Sequence, residues 1–103
     1  MPKGVAQPWE LTKAIARTEG KLRPDVVHIR HTITSDWSGE AAVFFRILLS
    51  DEASTGARLR ATTNRVKHRI LEDVDPTEKW GLIPYFSFRS VSEQNQLQEP
   101  AWA

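Results

Sequence analysis

A two-layer α+β fold, in the order α-β-β-α-β with a three-stranded sheet and two helices on one of its faces, is predicted by three features of the chain. Two segments space their apolar residues at helical intervals: Leu11, Ala14, Ile15 and Thr18, then Leu59, Thr63, Val66, Ile70 and Val74. Three other runs are rich in β-branched and aromatic residues and are bounded by turn formers. The length, 103 residues, allows one core and not two.

The first helix is expected over Pro8–Glu19, because Pro8 suits a first turn and Gly20 suits the left-handed position that ends helices. "VVHIRHTIT" alternates Val27, Ile29, His31 and Ile33 with His28, Arg30, Thr32 and Thr34, the period of a strand with one buried face. "SDWSG" supplies the turn, and Ala41–Leu49 is a second strand in which both alternating sets are apolar, broken only by Arg46. A second helix is expected over Ala53–Asp73, then an exit loop "VDPTEKWG", then a third strand over Leu82–Ser90 that Pro84 confines to an edge or a bulge. Residues 1–90 thus form a single domain, and "VSEQNQLQEPAWA", 91–103, is a polar tail with Leu97 and Trp102 as isolated apolar residues. A crossover through the second helix is expected to return the third strand antiparallel to the first, leaving the first central and the second at an edge.

Composition narrows the function classes. Hydrophobic residues make up 40% and charged residues 26%, the balance of a soluble globular domain, and no apolar run is long enough to span a bilayer. "MPKGVAQPWE" lacks the apolar stretch of a secretory signal, and the absence of cysteine rules out disulfides and thiolate metal sites; both fit a cytoplasmic setting. The formal net charge of +1 selects no partner.

Catalysis finds little support in the residue pattern, and neither a cofactor nor a metal is expected. His28 and His31 fall on opposite faces of a strand and cannot chelate one ion together. Asp36 with Ser38, and the carboxylates from Glu72 to Glu78, occur where capping and turns use such residues, with no nucleophile–base pair and no glycine-rich phosphate loop.

Association is the stronger expectation. Phe44 and Leu48 extend the apolar character of the second strand onto the face that two helices on the other side leave open, and a long apolar edge strand aggregates unless covered. Strand addition by a second copy, giving a dimer, or burial against another protein would cover it, with the aromatic C-terminal segment as part of the same surface, as would the N-terminal helix or the tail folding across it. Trp37 in the hairpin loop and Trp102 in the tail are further contact candidates, whereas Trp9 and Trp80 suit a structural role at the ends of the core. The alternative is RNA binding by the second helix. Arg58, Arg60, Arg65, Lys67, His68 and Arg69 lie between Glu52 and Glu72 with no intervening acid, and Arg58, Arg65, Lys67 and Arg69 are the candidate phosphate contacts. They spread around the whole polar side of that helix, without aromatic residues among them, as on an ordinary solvated face.

"EKWGLIPYFSFRSVSEQNQLQEPAW" and "DVVHIRHTITSDWSGEAAVFFRILLSDEAS" resemble a family of uncharacterised small bacterial proteins marked by a C-terminal WGLIPYFSFRS-type segment, over most of the chain from Arg23 onward. Its members are encoded beside a small helical protein of the HEPN class, so the resemblance implies a protein partner of that class in a toxin–antitoxin or defence setting. The element order is also similar to a type II KH domain. The GxxG clamp of nucleotide-binding KH domains is absent, since the region of the second helix holds only Gly56.

Overall fold

The computed structural model describes residues 8–102. It is an α+β fold: α1 (Pro8–Lys21), β1 (Val26–Ser35), β2 (Ala41–Leu49), α2 (Leu59–Asp73), a short α3 (Pro76–Trp80), β3 (Ile83–Ser90) and α4 (Val91–Leu97). No helix among the described residues is long and apolar enough to cross a membrane.

One face of the sheet carries the core. Val43, Phe45, Ile47 and Leu49 of β2, with Val26 and Ile29 of β1, pack against Leu11, Ala14 and Ile15 of α1 and Val66 and Ile70 of α2. Both helices therefore cover the same face, as their apolar stripes require. Phe45 lies in the middle of this layer, its ring stacked on Phe86 of β3 with centroids 5.4 Å apart. Val74, Trp80 and Leu82 close the end of the core below α2.

The strand order corrects the expected one. The sheet runs β1-β2-β3, with β1 antiparallel to β2 and β3 parallel to β2, so β2 is central and is not an edge. The physical reason lies in the sequence. A strand apolar on both faces is suited to the middle of a sheet, and a strand–helix–strand succession favours parallel neighbours. β3 takes an edge, where Pro84 lacks no essential donor. On β1, Glu19 from α1 accepts the backbone N–H of Ile29 at 2.7 Å, filling an edge position that a third strand would need.

Helix boundaries differ too. α1 runs through Gly20 to Lys21. α2 begins at Leu59 and not at Ala53, because Ser50, Ser54 and Thr55 turn their hydroxyls onto local backbone groups, holding Glu52–Ser54 as a separate 3₁₀ turn. The exit loop contains α3, which Gly81 ends at φ 67° in the left-handed region. The tail is ordered through residue 102. Ser90 caps α4 by accepting from the Glu93 N–H at 3.1 Å, while the Glu93 carboxylate accepts the Ser90 N–H at 3.0 Å. Asp51 fastens this helix to the turn after β2 by accepting from the backbone N–H and hydroxyl of Ser92. Those bonds, the hydroxyl's first, hold the Asp51 carboxyl below its ordinary range.

Candidate interaction site on the open sheet face

The sheet face away from α1 and α2 is built by period-two alternation. Thr32 of β1, Phe44 of β2 and Tyr85 of β3 stand in one row across the strands, with Arg30, Arg46 and Ser87 in the next. Phe44 stacks on Tyr85 at 5.0 Å with ring planes 16° apart, and the Trp37 ring lies against Tyr85 at 5.1 Å, tilted by 54°. Three aromatic side chains from the β1–β2 loop, β2 and β3 thus form one continuous patch. Phe44 and Leu48 are half-buried in this face, whereas Trp37 is 83% exposed.

The loop that presents Trp37 is fastened from within. Asp36 Oδ1 accepts from the Ser38 N–H at 2.9 Å, the Ser38 hydroxyl at 2.7 Å and the Glu40 N–H at 3.0 Å, and Oδ2 accepts from the Tyr85 hydroxyl at 2.9 Å. Backbone bonds from Asp36 N–H to Glu40 and from Gly39 N–H to Asp36 close the turn, and Gly39 takes φ 88°, which a side chain at that position would strain. The Ser38 hydroxyl above all, helped by Tyr85 and the two backbone N–H groups, holds the Asp36 carboxyl below its ordinary range against the opposing effect of partial burial. Asp36 in turn raises the Tyr85 pKa, first by accepting its proton in a hydrogen bond, then with burial and its own negative charge.

Linkage gives each shift a sign. The contribution of Tyr85 is present below the ordinary tyrosine range and is lost as pH rises through its raised folded value; that of Asp36 is present above the ordinary carboxylate range and is lost as pH falls through its lowered folded value. Tyr85 is the only tyrosine in the chain, so phenolate absorbance reads it alone. Its midpoint is expected above that of an exposed tyrosine and is expected to fall back toward it in Asp36→Asn. An ordinary midpoint in the parent protein would show that the Asp36–Tyr85 bond is absent in solution.

The tail closes the other end of this face. Trp102, 9% exposed, lies under the Arg89 guanidinium, 4.4 Å from its ring centroid, and Arg89 also pairs with Glu99 at 2.8 Å. Arg46 Nε donates to the Ala101 carbonyl at 2.8 Å, and its terminal nitrogen donates to the Thr32 hydroxyl at 2.8 Å. Trp102 is therefore used by the chain itself. Between the tail and the aromatic patch lies a shallow groove of about 410 Å³, bordered by Thr32, Thr34, Phe44, Arg46, Ser87 and Trp102.

The remaining expected residues fall elsewhere. Arg58, at the N-cap of α2, and Arg65 within it both pair with Asp25, Arg69 reaches Asp73 at 3.9 Å, and Lys67 lies 5.9 Å from the centre of the Phe88 ring. The arginines of these pairs are about half exposed and the pairs individually weak, but they place a carboxylate beside three of the four candidate phosphate contacts. Trp80 is buried as expected; Trp9 is 60% exposed, with Lys13 above its ring, and does not close the core. His28 Nδ1 meets Glu19 at 3.0 Å, while burial, with Arg46 nearby, lowers the pKa of His31. Among the described residues no group of three His, Cys, Asp or Glu side chains could hold a metal ion.

Sequence reasoning missed Tyr85 and Asp36 as parts of this site. The aromatic C-terminal segment as a whole is expected at the interface without Tyr85 being singled out, and Asp36 is weighed only for acid–base work and turn formation; their pairing spans 49 residues and follows from β3 lying beside β2. No protein-family model matches the chain, and comparison with curated proteins and with solved structures returns no match.

Proposed function

We propose that the chain is a non-catalytic interaction subunit that docks a protein partner on its open sheet face, with Trp37 as the anchor. The observation that carries this reading is a large aromatic side chain held in water by a loop whose carboxylate accepts four hydrogen bonds. A pre-ordered tryptophan loses little entropy on binding, which is what makes such residues dominate interfaces. Phe44 and Tyr85 extend the apolar surface behind it, and the groove toward Arg46 offers hydroxyls and a guanidinium for a polar rim.

Charge favours a protein over a nucleic acid here. Asp36 stays ionised through the physiological range, and Glu40 follows on the other side of Trp37, so a phosphate backbone would meet two carboxylates at the anchor. Docking is by the face, not by strand addition to β2, since both edges of β2 are already paired. The resemblance to proteins encoded beside HEPN-class partners makes a small helical protein the first to test.

A photoreactive phenylalanine analogue placed at the exposed Ser87 tests this in cells that contain the partner. The expected result is a discrete protease-sensitive adduct, lost when Trp37→Ala is added and not formed from a control position at Arg17 of α1. An adduct removed by nuclease would assign the face to RNA; no adduct at Ser87 under conditions that label Arg17 would overturn the reading.

A further inference from the structure

The free edge of β1 has a pattern that fits one occupant. In the antiparallel β1–β2 pair successive residues point their backbone groups alternately toward β2 and away from it. Two bonds fix which are which: Ile29 gives its N–H outward to Glu19 at 2.7 Å, and Asp36 gives its N–H inward to the Glu40 carbonyl at 2.9 Å. His31, Ile33 and Ser35 therefore present their N–H and C=O groups outward, and among the described residues no group satisfies them. Glu19 closes this row at one end and the turn closes it at the other.

The open row is centred on Ile33, which is 45% exposed, and Thr32, Thr34 and Ser35 beside it are exposed as well. We propose that β1 pairs with β1 of a second copy, antiparallel and with the two-fold axis at Ile33, joining two sheets into one. In that register His31 faces Ser35 of the second copy, so every free outward group finds a partner and the Glu19 cap stays in place. Ile33 buries against its own counterpart. Thr32 faces Thr34, and Arg30 faces Asp36, which sets a cation opposite a carboxylate on both sides of the axis.

The neighbouring registers are worse. Moving the axis to Thr32 opposes Ser35 to Ile29, whose N–H is already taken; moving it to Thr34 runs the pairing into the turn. A slip by one residue opposes inward groups to outward ones. This seam lies on the sheet's edge and does not depend on the open face being a docking surface.

Sedimentation equilibrium from micromolar to millimolar concentration tests the proposal on the full chain. The parent protein is expected to reach twice the monomer mass. Ile33→Pro removes an outward N–H and the side chain at the two-fold axis while leaving the inward bonds to β2, so it is expected to keep its far-ultraviolet circular dichroism and to weaken the dimer by about a hundredfold or more. A parent protein that stays monomeric throughout, or a folded Ile33→Pro variant that dimerises as well as the parent, would overturn the seam. Should that variant not fold, amide exchange in the parent decides: slow exchange at His31, Ile33 and Ser35 in the dimer supports the pairing, and fast exchange at all three contradicts it.

Discussion

Trp37→Ala is expected to reduce affinity for the docked partner by at least about thirtyfold, the loss of roughly 2 kcal/mol that marks a tryptophan anchor. The same change is expected to lower folding stability by no more than about 1 kcal/mol, since the ring is 83% exposed and its ring contact is with Tyr85. The separation of the two effects is the informative part. In a core residue binding and stability fall together, because the surface is lost with the fold. Titration calorimetry with the crosslinked partner, beside urea unfolding of the free chain, measures both; an affinity unchanged by the substitution would remove Trp37 from the interface.

Phe45→Ala is expected to show the opposite pattern, with a stability loss of about 3–5 kcal/mol. Phe45 is fully buried on the central strand between Val43 and Ile47, stacked on Phe86 and covered by the helical layer. Its removal leaves a hole where the strands and helices meet, and the pleated sheet cannot close over it without shifting three strands. Against a total of about 5–15 kcal/mol for a domain of this kind, the variant is expected to be partly or largely unfolded at 37 °C. Urea denaturation measures it, and a loss below about 1 kcal/mol would mean that the core is packed differently.

The two faces of the chain differ in how far they could be read from sequence. Leu11, Ile15, Val66 and Ile70 were legible because helical spacing is local, and they form the core face as expected. The apolar doubling of β2 is legible as a pattern, but on the edge where the expected crossover puts that strand it reads as an association surface. It belongs to a central strand, and the β2–α2–β3 succession was the available clue. "SVSE", Ser90–Glu93, spelled a capping box and so a helix in the supposed tail. What no local pattern could supply is the meeting of Asp36 with Tyr85, because it depends on which strand lies beside which. The exposure of Trp37 and the burial of Trp102 are likewise decided by tertiary placement, since both sit in segments of similar polarity.

Relaxation measurements on the Trp37 indole and the backbone amides of 35–40 test most directly whether the loop holds its tryptophan rigid in solution. Order parameters near those of the sheet, about 0.85, are expected in the parent protein, with a fall below about 0.6 at Trp37 in Asp36→Asn. Values below about 0.6 in the parent itself would show a mobile side chain with no pre-ordered anchor, and would contradict the account.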